Sequence, residues 1–149
     1  DKTVYFIEKH PSFASGDRDK KIIKELADGL PETLCDPQQL QQVLLNLFLN
    51  ASDVTPEGGT MTVKTFYDKK GESVIIELQD AGGGIPRELI DKIFQPFFTT
   101  KGKGTGLGLA VSKRIIEEHG GCIMAMNNDT GGATFRIVLP VRSERSEAT

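Results

Sequence analysis

The clearest periodicity in the chain lies between Gln38 and Val54, where Leu40, Val43, Leu44, Leu47, Ala51 and Val54 recur at helical spacing and form one apolar face. Its start is marked by Asp36-Pro37-Gln38-Gln39, which offers an Asp N-cap, Pro at the first helical position and Gln at the third to complete a capping box. Pro56 and Gly58-Gly59 end it. A helix is predicted from about Thr105 to His119 and a short one from Pro86 to Phe94. Strand patterns cover Lys20 to Leu26, Thr60 to Tyr67, Ser73 to Gln79, Cys122 to Met126 and Ala133 to Leu139, and the second and third flank the turn Asp68-Lys69-Lys70-Gly71 as a hairpin would. Lys2 to Phe13 suits either a helix or a strand, and Arg142 to Thr149 reads as a polar tail. Strands that arrive in pairs with helices interspersed favour an α+β class: a two-layer sandwich with a mixed, largely antiparallel sheet covered on one face by helices.

A length of 149 residues with 38% apolar and 26% charged residues fits a single domain with a sizeable core, expected at about 18–141. The net charge of −3 argues against a nucleic-acid partner. No apolar stretch approaches the roughly 18 to 20 residues that span a bilayer, so no membrane contact is expected of this segment, and a cytoplasmic location is. The start at Asp1 reads as a piece of a longer protein. Cys35 and Cys122 are unclustered, with no CxxC spacing and no His read as a partner, which argues against zinc and is compatible with a reducing compartment; they are expected to be small buried hydrophobes.

Candidate chemistry gathers in four places. On the first helix, Gln42, Asn46, Asn50 and Asp53 fall on one polar stripe. Such a stripe can simply face solvent, but Asn is a poor helix former, and carboxamide oxygens suit Mg²⁺ or phosphate-bound water. In QDAGGGIP, Asp80 ends a strand before Gly82, Gly83 and Gly84, which makes either a glycine-rich Asx turn or a lone acceptor for the amine of a flat purine on bare backbone. Phe94, Phe97 and Phe98 are core residues or the anchor of a mobile loop, Thr99 to Thr105. The glycines at 102, 104, 106 and 108 open into a helix, which makes either a hinge or a phosphate cradle.

In order and spacing, the Asn46/Asn50 helix, DAGGG, IFQPFF and GTGLGL resemble the N, G1, F and G2 boxes of the catalytic ATP-binding domain of sensor histidine kinases, over about Asp36 to Pro140. That domain shares a superfamily with gyrase, the Hsp90 chaperones and MutL proteins. The resemblance implies the Bergerat fold binding ATP and Mg²⁺. Asp80 would accept from the adenine amine, Asn50 would ligate the metal, and Asn46 would sit near the phosphates as the second catalytic residue. Gly82 and Gly84 would shape the purine floor, and Gly104, Gly106 and Gly108 would offer amides to phosphate. Asp53, Ile85, Phe94, Phe98, Thr99, Thr100, Lys101, Thr105 and Leu107 complete the implied nucleotide contacts, with Lys103 an alternative charge to Lys101.

Three features depart from that pattern. Ala81 stands where the family usually has Asn, and Asp53 where many members carry a base. Neither His10 nor His119 resembles the phosphoacceptor motif, and His119 reads as a cation-capable residue at a helix C-terminus. Asn46 replaces the general-base Glu of the gyrase-like branch and cannot activate water, so the γ-phosphate would be kept for transfer. The partners this implies are a histidine on a dimerisation domain of the same parent, absent from this chain, and a response regulator downstream. Two other classes stay open: a nucleotide-binding regulatory module without phosphotransfer, and an ATPase or serine-directed kinase of the same superfamily.

Overall fold

A computed structural model describes residues 21–27, 30, 36–56, 58–96, 108–128 and 131–141. Five strands, β1 (Lys21–Leu26), β2 (Thr60–Asp68), β3 (Ser73–Gln79), β4 (Cys122–Asn127) and β5 (Ala133–Pro140), form one sheet in the order β1-β2-β3-β5-β4. The β1–β2 pair is parallel and every other pair antiparallel, so the sheet is mixed, as expected. Two helices, α1 (Pro37–Val54) and α2 (Gly108–Glu118), pack on it.

The apolar face of α1 carries Leu40, Val43, Leu44, Leu47 and Ala51 into the core, where they meet Ile115 and Ile116 of α2 and the sheet residues Met61, Val63, Ile76, Leu78, Phe135, Ile137 and Leu139. These sheet residues share one face, because the register sets Val63 opposite Leu78, Leu78 opposite Phe135 and Ile76 opposite Ile137. Val54, counted with the apolar face, is 43% exposed at the end of the helix. The opposite sheet face carries the row Phe66, Ile75, Val138 and Cys122 and, next to it, a paired Glu77 and Arg136 with Nε to Oε2 at 2.6 Å. Cys122 is exposed there, against expectation: it falls on the outward parity of an edge strand, where no described helix packs. Cys35 lies outside the described residues.

The start of α1 follows the sequence. The Asp36 carboxylate accepts from the backbone N–H of Gln38 at 3.0 Å and of Gln39 at 3.3 Å, with Pro37 in the first turn. The far end of α2 closes in a Schellman motif: Gly120 (φ +78°) and Gly121 donate to the carbonyls of Glu117 and Ile116. The helix expected from Pro86 to Phe94 is instead a 3₁₀ turn, Arg87–Leu89, followed by turns. Pro86 in extended geometry supplies no side-chain cap, and the segment is too short to propagate a helix unaided.

Candidate functional site

Asp80 follows the last residue of β3, a strand with a neighbour on each side. The residue is buried, and its Oδ1 accepts two backbone amides, Gly82 N–H at 2.9 Å and Ala133 N–H at 3.0 Å. Among the described residues Oδ2 takes no hydrogen bond, and no fully buried side-chain oxygen or nitrogen lacks a partner, so Oδ2 keeps some access to solvent. One oxygen fixes the carboxylate and the other is free to accept from a ligand.

The glycines after Asp80 are explained by what surrounds them. A Cβ at Gly82 would stand 2.6 Å from Cβ of Val54 and 2.7 Å from its carbonyl oxygen, so bare backbone there lets the loop rest on the end of α1. Gly83 and Gly84 take φ of +92° and +85°, which L side chains rarely adopt. Ala81 offers no polar side chain, but its N–H donates to the buried Thr55 Oγ1 at 3.3 Å, so the backbone ties the loop to α1. Ile85 is half-buried against the core.

On the polar stripe of α1, Gln42 is exposed, while Asn46 and Asn50 are half-buried. Asn46 Nδ2 donates to the buried Ser112 Oγ of α2 at 3.4 Å, which leaves its Oδ1 as an acceptor. Gly108, the first residue of α2, lies beside this carboxamide: a Cβ there would sit 4.0 Å from Asn46 Cγ. The stripe therefore meets the positive end of a helix dipole. This donor set suits Mg²⁺, which takes one or two protein oxygens together with phosphate and water. Among the described residues no three His, Cys, Asp or Glu gather as a metal cage.

Phe94 packs edge-on against Phe135, with centroids 6.2 Å apart and planes at 84°, and Lys113 Nζ lies 5.8 Å over its ring, so Phe94 serves as a core anchor. Phe97, Phe98, Thr99, Thr100, Lys101, Lys103, Gly104, Thr105, Gly106 and Leu107 lie outside the described residues, as does the side chain of Asp53.

His119 lies at the end of α2, where its Nε2 accepts the backbone N–H of Asp36 at 2.9 Å and its Nδ1 lies 2.7 Å from Ile115 O. His119 also takes the place of Gln39 in the expected capping box, because it receives the Asp36 N–H itself. Residues that sequence reasoning missed complete the frame: Thr55, Ser112, Asn127, Asn128 and Gly132. Ser112 falls at helical spacing from Ile115 and Ile116, but Asn127 and Asn128 act across 42 and 48 residues and leave no local signal.

The family model described as "Histidine kinase-, DNA gyrase B-, and HSP90-like ATPase" matches residues 35–143. Sporulation kinase E of Bacillus subtilis is 43% identical over 123 residues, which cover 83% of this chain and 16% of that protein. Sensor histidine kinase ZraS of Escherichia coli K12 is 45% identical over 120 residues, covering 80% of this chain and 25% of the relative. Among solved structures, the catalytic domain of histidine kinase ThkA superposes with a TM-score of 0.74 at 34% identity, over 93% of this chain and 87% of that one. ThkA in complex with the response regulator protein TrrA matches with a TM-score of 0.73 at 31% identity, over 95% of this chain and 38% of that one. The chain thus spans about a quarter or less of the two curated relatives.

Proposed function

The chain belongs to the histidine kinase-, DNA gyrase B- and HSP90-like ATPase family, with sensor histidine kinases as its relatives, and from that premise we propose that it binds ATP with Mg²⁺ and donates the γ-phosphate to a histidine on a dimerisation domain of its parent protein. The observation that carries this reading is the Asp80 carboxylate, which is pinned through Oδ1 and open at Oδ2 beside the glycine loop that rests on α1. A carboxylate so held accepts from the exocyclic amine of adenine and rejects the oxo group of guanine or hypoxanthine.

The phosphates extend from there toward Asn46, Asn50 and the amides that open α2 at Gly108. Asn50, with Asn46 beside it, would hold Mg²⁺, which supplies charge neutralisation on the phosphates. Asn46 spends its amide on Ser112 and has no proton-accepting group, so water is not activated and the γ-phosphate waits for a better-placed nucleophile. A histidine nitrogen from the dimerisation domain then attacks the γ-phosphorus, the bond to the β-phosphate oxygen breaks, and ADP leaves. A response regulator, as in the ThkA complex, would receive the phosphoryl group next.

The experiment is transfer in trans. Mixed with the dimerisation domain of its parent and labelled ATP, the chain should phosphorylate that domain's histidine to an acid-labile, alkali-stable product, while hydrolysing ATP slowly alone. Brisk turnover by the chain alone, or label on its own Ser or Thr, would overturn the reading. Tight ATP binding with an inert cognate acceptor would point to a regulatory module.

A further inference from the structure

Two consecutive asparagines at the end of β4 hold both ends of the Asp80–Ile85 loop. Asn127 makes a two-point clamp on one residue: its Oδ1 accepts the Ile85 N–H at 2.7 Å and its Nδ2 donates to the Ile85 carbonyl at 3.0 Å. Asn128 Oδ1 accepts the Gly132 N–H at 2.9 Å, and its Nδ2 lies within donating distance of Ala133 O at 3.2 Å, Asp80 O at 3.3 Å and Thr134 Oγ1 at 3.4 Å. Asp80 donates its own N–H to Ala133 O at 2.9 Å and receives the Ala133 N–H on Oδ1. Its amide, its carbonyl and one carboxylate oxygen are therefore all committed to the β4–β5 end of the sheet. Both clamps depend on missing side chains: a Cβ at Gly84 would stand 2.8 Å from Asn127 Oδ1, and one at Gly132 would stand 1.9 Å from Asp80 O.

We propose that Asn127 and Asn128 are positioning residues that set purine selectivity, by fixing the Asp80 carboxylate and the loop that carries it. This rests on the adenine reading of Asp80. A carboxylate that cannot swing aside distinguishes an amine from an oxo group at one place on the ring, whereas one released from its frame can turn from the mismatch or admit a bridging water. Loss of the frame should therefore cost discrimination more than it costs grip on the phosphates.

The test measures dissociation constants for ADP and IDP by calorimetry on the full chain and on Asn127→Ala and Asn128→Ala, with circular dichroism to confirm folding. The unaltered chain should prefer ADP by at least about tenfold, and each variant should reduce that ratio severalfold while inorganic pyrophosphate with Mg²⁺ binds as before. Should an alanine variant fail to fold, the ratio is measured on Asn127→Ser, which keeps a short polar group, or on Asn128→Asp, which keeps shape and acceptor but removes the donor. No preference for ADP in the unaltered chain sinks the adenine reading and this inference with it. A preference that survives intact in folded variants sinks the inference alone.

Discussion

Asp80 keeps its two oxygens in different states, and that asymmetry predicts the effect of its amide. In Asp80→Asn the side-chain oxygen can still receive Gly82 and Ala133, but the group left facing the ligand becomes a donor against a donor. Loss of a hydrogen bond to a charged group is worth about 1.5–3 kcal/mol, so affinity for ADP should fall roughly tenfold to a hundredfold with the melting temperature little changed; calorimetry on the folded variant measures it, and unchanged affinity refutes the assignment. Gly82 behaves in the opposite sense. Gly82→Ala drives a methyl group into Val54, which costs about 1–3 kcal/mol of overpacking and should show as a lower denaturation midpoint even without nucleotide. Asn50→Ala should weaken Mg²⁺-dependent binding of an ATP analogue far more than binding of adenosine without metal; an equal loss in both would make Asn50 a structural residue.

At the level of elements, His119 ties the N-cap residue of α1 to the last turn of α2. His119→Ala removes both bonds, and since Asp36 is exposed to water the expected loss is about 0.5–1.5 kcal/mol, measured by chemical denaturation; no loss would show that the bridge adds nothing in solution. The elements were largely legible in the sequence. Periodicity and punctuation set the bounds of α1 and of β3, because an apolar face at helical spacing and a hairpin turn are local signals. The segment after Pro86 departs from its pattern because its apolar spacing suits a helix while no side chain caps it. The bridge of His119 to Asp36 and the clamps of Asn127 and Asn128 were not legible, since each depends on a residue brought near by the fold, and the exposure of Cys122 was not, since it depends on where its strand lies in the sheet.

For the whole molecule, the sheet order places β3 in the middle, with β2 on one side and β5 on the other, and its residues from Ser73 to Leu78 are buried on both faces. Amide protons of such a strand exchange with solvent only when the domain opens globally, whereas β1 and β4, at the edges, can open first. Deuterium uptake should therefore be slowest at Val74 to Leu78, with protection close to the global unfolding free energy; fast uptake there would mean the centre is not the last part to open. Because Asp80 follows directly on β3, the carboxylate proposed to recognise the base hangs from the most persistent part of the domain, so fraying of β1 leaves it where it is, whereas fraying of β4 would release the clamps of Asn127 and Asn128 on its loop.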